Sequence, residues 1–285
     1  MPCTPGGTTT PLLGLCKPAA GETPWTTAIN GNWDILDGLQ AAVVARGYLA
    51  GLTLSTAGSS STMTVAAGQA VDSANANVMV LASALNKTTS SWAVGSGNGG
   101  LDTGAIAAST WYHFFLIKRV DTNVVDVVFS LSATNPTMPT SYTLKRRIGS
   151  GKTDGSSNWT AFVQLGDEFL WSAAVQDMSA VATSATAALQ TLTVPTGVQV
   201  WARFRITGNA AAAAVTLFTS PDESDQVPAR ATGLSDLEQG TGFLSSPYLT
   251  IRTNTSAQVR WRSSATGAAI SASTNGWIDR RGRDG

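Results

Sequence analysis

At 285 residues with 43% hydrophobic side chains, the chain is long enough for two domains with cores of their own. Only 13% of its residues are charged, about half the usual share, so small residues such as Ser, Thr, Gly, Asn and Ala must cover much of the surface. The net charge is +0, which excludes a general attraction to nucleic acid or acidic membranes, and no stretch approaches the roughly 18 consecutive apolar residues of a membrane span.

Residues 1–22 read as an irregular arm. Pro2, Pro5, Gly6, Gly7, Pro11 and Pro18 interrupt regular structure, and such an arm orders only on a partner. It has no basic segment followed by an apolar run, so synthesis in a cytosol is expected, not secretion. Both cysteines, Cys3 and Cys16, lie here. Two thiols cannot complete a tetrahedral metal site; they stay free or form a disulfide, within one chain or between two, in an oxidising medium.

Residues 23–46 predict a helix. Thr23 suits the N-cap and Pro24 the first helical position. Trp25, Ile29, Asn32, Leu36, Leu39 and Val43 then fall on one stripe, in alternating steps of four and three. A helix this short is marginal alone, so the stripe must be covered, by the chain's own body or by identical helices of sister chains. In the second case Asn32 forms a polar layer that fixes register.

From Tyr48 the period changes to two. Short strands are predicted over residues 49–55, 62–66, 69–72 and 77–81, with a weaker one at 91–94 and a glycine-rich loop at 95–104. Residues 110–120 carry the strongest strand signal, with branched and aromatic residues on both faces, and 124–131 should pair with it through the Asp121 turn. Strands at 142–148, 159–165 and 169–171 close the first body. Residues 173–188 are small and read as a short helix or connector, placing a domain boundary at 172/173. Strands then follow at 190–194, 198–206, 213–218, 248–253, 258–262, 268–272 and 276–278, around a long loop at 220–247. The expected fold is mainly β: an arm, a short helix, and two antiparallel β-sandwich (jelly-roll-like) domains at 47–172 and 173–285.

The chemistry-bearing residues are few. His113 is the only histidine and lies among aromatic residues, so a core role is expected, and Ser-His-Asp, Cys-His and His-ligated zinc sites are disfavoured. Asp222, Glu223 and Asp225 lack the alternating pattern of an EF-hand loop, which favours a solvated loop over a calcium site. Asp167 with Glu168, or that acidic loop, leaves a glycan-cleaving carboxylate pair open. Two basic runs, Lys145–Arg147 and Arg280–Arg283, lack the aromatic interleaving of a nucleic-acid site. The first suits carboxylates at a chain–chain contact, the second an acidic neighbour or solvent. Of nine tryptophans most suit a core, while Trp92 and Trp277 are candidates for stacking on sugars.

The stretch 13–39, with Leu13, Gly14, Leu15, Pro18, Trp25, Asn30, Asn32, Trp33, Asp34 and Leu36, resembles the N-terminal segment of tailed-bacteriophage tail-fibre and related virion proteins. That family more often has Phe where Trp33 stands. Stretches at 110–120, 142–150, 162–171 and 248–285 are similar to β-rich parts of such fibre-like proteins. The resemblance implies a non-enzymatic virion protein without cofactor, assembled in the host cytoplasm. It implies a homotrimer whose N-terminal part attaches to other virion proteins and whose β domains point outward. The helical stripe would then be the trimer interface, and a host surface glycan is the alternative partner.

Overall fold

A computed structural model describes residues 46–210, 213–240 and 246–283, with short pieces at 8–9, 16–17 and 31–33. The described residues are mainly β, 52% of them in strands with almost no helix, and one of the sheets curls nearly closed like a barrel. Within the expected helix at 23–46 only 31–33 and Arg46 are described; the first three residues are helical and Arg46 lies in a turn. Trp25, Ile29, Leu36, Leu39, Val43 and Cys3 lie outside the described residues. The arm, expected to be irregular, contains one two-stranded pairing of Thr8–Thr9 with Cys16–Lys17.

A seven-stranded sheet forms the first half. Its order is Tyr142–Lys152, Trp111–Arg119, Val125–Ser130, Gly99–Leu101, Leu85–Ser91, Thr62–Val65 and Leu54–Ser55. Trp111–Arg119 pairs on both sides, as its double-sided apolar pattern demands. Two of these strands depart from the sequence expectation. Leu85–Ser91 is polar along most of its length, and its Lys87 is nonetheless fully buried. Gly99–Leu101 occupies the expected loop and pairs in parallel with both neighbours. A Cβ on Gly100 would lie 2.7 Å from the Phe129 ring, and one on Gly99 2.0 Å from the Ser91 carbonyl, so these glycines serve close approach. A three-stranded sheet, Leu49–Gly51, Gly68–Val71 and Val78–Leu81, packs beside it.

The second half holds a five-stranded sheet ordered Phe162–Leu165, Glu168–Ala182, Ala268–Ile278, Trp201–Ala210 and Tyr248–Arg252. A four-stranded sheet, ordered Ala188–Thr191, Gln258–Ser263, Ala214–Thr219 and Leu237–Gln239, completes it. The boundary expected at 172/173 falls inside the strand Glu168–Ala182, and residues 173–182 are neither helix nor connector. Small residues suit this strand because its register with Ala268–Ile278 shifts three times.

One hydrophobic core runs through both halves. Trp111, from the seven-stranded sheet, meets Trp171 and Trp277 of the five-stranded sheet at centroid distances of 5.7 and 5.4 Å. A second, small cluster of Phe115, Ile117, Val128 and Tyr142, with Trp92 and Met138 packed on it, lies on the other face of the seven-stranded sheet.

Candidate functional site

That small cluster floors a surface groove of about 560 Å³, lined by Trp92, Val94, Arg119, Thr122, Val124, Pro139, Thr140 and Tyr142. Trp92 follows directly on Leu85–Ser91, and its indole N–H donates to the Val127 carbonyl at 3.0 Å. This bond fixes the ring, which stands edge-on to Tyr142 at 5.3 Å and 76°. Arg119 ends its strand and is held by Asp121 through two bonds of 3.0 and 2.6 Å. The exposed valines Val94, Val120 and Val124 border the groove or its turn.

A buried ion pair fastens the wall. The Lys87 ammonium lies 2.8 Å from Asp126, and neither side chain is exposed by more than 1%. It also donates to the carbonyls of Ala93 at 2.7 Å and Gly95 at 3.1 Å, which uses its three donors. Asp126 accepts in turn from the backbone N–H of Gly95 at 2.7 Å and Val127 at 2.6 Å. The segment after Trp92 is thus tied at several points, and the ammonium sits 5.4 Å from the Trp92 ring centroid. Burial lowers the Lys87 pKa, and Asp126 opposes that shift. Apolar rings, valines and the Asp121-paired Arg119 make most of the lining, and Thr122, Thr140 and Tyr142 add hydroxyl groups.

His113 belongs to a different network. Its Nδ1 is 2.9 Å from the Ser150 hydroxyl, which also accepts from Arg147 at 3.0 Å. Arg147 grips Asp279 with both arms. Burial, and then the Arg147 charge, push His113 down to about 3, and Asp279 is held low by Arg147 against its own burial. A hydrolytic triad needs the carboxylate on the histidine and an accessible hydroxyl. Here the carboxylate is spent on an arginine and Ser150 is fully buried, so the network is structural.

The other candidates are resolved by pairing. Asp167 is paired with Arg283 and Glu168 with Arg203, so neither is a free catalytic carboxylate. Asp222 and Asp225 are exposed, as expected of a solvated loop, and form surface pairs with Arg252 at 2.9 Å and Arg262 at 2.7 Å. Among the described residues no group of three or more His, Cys, Asp or Glu is placed to hold a metal. The two basic runs meet inside one chain: Arg147 and Arg281 both contact Asp279, so neither run is merely a surface feature. Trp277 requires a correction. It is fully buried, with its face stacked on Phe169 at 4.9 Å and 9°, and no sugar can reach it. Trp92 alone of the two candidates reaches a surface groove. Asn32 lies among the described residues on the 31–33 helical piece, and Cys16 pairs opposite Thr9.

Sequence reasoning missed Lys87, Asp126, Arg119 and Tyr142 as parts of the groove. Tyr142 carried only a strand-start signal, and Lys87 sits in a polar run where burial leaves no trace. No family model and no curated protein matches this chain.

Proposed function

We propose that the chain is a non-enzymatic structural protein of a tailed-bacteriophage particle, a trimeric fibre, spike or collar component. Its N-terminal arm attaches to other virion proteins. Residues 23–46 form a helical stem in which Trp25, Ile29, Asn32, Leu36, Leu39 and Val43 face sister chains, and the β body projects outward as two sandwich-like lobes.

The observation that carries this reading is how the leading segment enters the body. The buried Arg281 guanidinium donates to the carbonyls of Ile148 and Gly51, each at 2.8 Å, and to that of Leu52. The Gly47 N–H bonds Asn75 Oδ1 at 2.9 Å, and Gly47 packs so closely on Arg283 that a Cβ would lie 2.9 Å from its carbonyl. The first and last turns of the body are therefore sewn to each other. A load applied through residues before Arg46 meets the Gly47 bond and the short Leu49–Gly51 ladder first, and behind them the buried, multiply bonded Arg281 holds the chain at Gly51 and Leu52. An anchored, outward-held domain needs such a fastening.

The test is labelling of purified particles from cells carrying the encoding gene, with an antibody to the β body. Label on the particle away from the attachment point supports the proposal. A chain that never co-purifies with particles removes it. The Trp92 groove favours a second reading, recognition of a host surface glycan. Saturable glycan binding without turnover, lost in Trp92→Ala, would support it.

A further inference from the structure

We infer that the outer face of the five-stranded sheet carries a second binding site, built for an acidic saccharide, on Arg203, Arg205, Tyr248 and Asn275. It shares no residue with the Trp92 groove and goes beyond the structural reading.

Alternation along Trp201–Ala210 buries Phe204 in the core and puts Arg203 and Arg205 on the solvent side. Tyr248 pairs directly opposite Arg205, and the two guanidinium carbons lie 5.0 and 5.6 Å from its ring centroid. The two arginines differ in what else they hold. Arg203 is paired with Glu168. Arg205 is exposed and, among the described residues, has no carboxylate partner. A guanidinium oriented by an aromatic ring and left without an anion presents a fixed fork of donors.

Beside it the sheet is deliberately irregular. Gly276 faces Arg203, yet the next pair is Phe204 with Thr274, so Asn275 is an extra residue in the central strand. The neighbouring ladder slips at the same place, between Leu170 and Val175. Bulges re-aim side chains and recur beside binding sites. Beside them lies a shallow, largely open depression of about 440 Å³ lined by Leu170, Trp171, Arg203, Arg205, Tyr248 and Asn275. The Asn275 Oδ1 atom is buried and has no hydrogen-bond partner among the described residues. An unsatisfied buried acceptor is costly, and rotation of the Asn275 side chain toward the surface would let a ligand hydroxyl relieve it.

The required ligand carries a carboxylate for Arg205, a hydroxyl donor for Asn275, and an aliphatic face for the exposed Leu170. A hexuronic acid residue within a polysaccharide has all three on one ring. A lone Asp or Glu side chain of a protein has only the first.

The experiment is calorimetric titration of the purified full chain with an oligoglucuronide, its uncharged oligoglucoside counterpart, and an acidic peptide. The oligoglucuronide should bind saturably, about tenfold or more tighter than the oligoglucoside, and more weakly as salt rises. Arg205→Ala should lose about tenfold or more in affinity with unchanged circular dichroism, because Arg205 is exposed, and Arg205→Lys should recover only part of it. Asn275→Ala should weaken the uronide and leave its salt dependence intact. Failure of the uronide to bind, equal binding of the neutral sugar, or wild-type affinity in Arg205→Ala would each overturn the inference. So would a peptide that binds as tightly as the uronide, which would assign the face to a protein partner.

Discussion

Replacing Lys87 by Met isolates the device that holds the groove. Methionine keeps most of the aliphatic stem and deletes the ammonium. Three contacts vanish together: the 2.8 Å ion pair with Asp126 and the bonds to the Ala93 and Gly95 carbonyls. Asp126 keeps its two backbone donors but becomes a buried charge without a counter-ion. Breaking a buried pair from one side costs about 3–5 kcal/mol. At this chain length that corresponds to a fall in Tm of about 5–8 °C. Lys87→Met/Asp126→Leu removes the stranded charge as well and should recover a large part of the loss, because a buried pair and an apolar substitute are often nearly equivalent. Chemical denaturation followed by circular dichroism measures all three proteins. A loss below about 1 kcal/mol in the single variant, or a double variant that adds a second full penalty, would refute the reasoning.

Acid should destabilise the protein through His113. Its pKa in the fold is about 3 against 6.5 when free, so the unfolded chain takes the proton first as pH falls. Stability is then complete above 6.5 and drops by about 1.4 kcal/mol per pH unit below it, until the folded-state pKa is reached. Asp279, shifted down, loses its contribution only below the usual carboxylate range, while Asp236, raised by burial, acts in the opposite sense, so the difference between wild type and a His113 variant from pH 6.5 to 4.5 reports His113. His113→Asn should flatten that slope. Gly276→Ala should destabilise by about 1–3 kcal/mol or prevent folding, since its Cβ would lie 2.0 Å from the Phe169 carbonyl; a stable variant would contradict the register given for the sheet. Arg281→Met should cost about 2–4 kcal/mol and raise hydrogen exchange around residues 47–55 first, and uniform exchange would count against the junction described for it.

Strong periodicity was legible and context was not. Residues 110–120, apolar on both faces, form the strand Trp111–Arg119 between two partners, and 124–131 pairs with it as Val125–Ser130. The strand Leu85–Ser91 went unread because Lys87 looks like a surface residue until Asp126, remote in sequence, arrives to neutralise it. Gly99–Leu101 went unread because glycine signals flexibility locally, whereas here the missing side chain admits Phe129 and the Ser91 carbonyl. Trp92 and Trp277 have similar polar flanks. What separates them is the Phe169 ring that covers one and the open groove beside the other. The unbroken strand Glu168–Ala182 hid behind alanines and serines, whose propensity is weak and whose bulges depend on the partner strand.

Sedimentation equilibrium of the purified full chain addresses the assembly most directly. A mass three times 29.4 kDa, reduced to 29.4 kDa by disruption of the stripe at Ile29 and Leu36, is the predicted result. A mass of 29.4 kDa for the unaltered chain across the micromolar range would contradict a body carried on three joined leading segments.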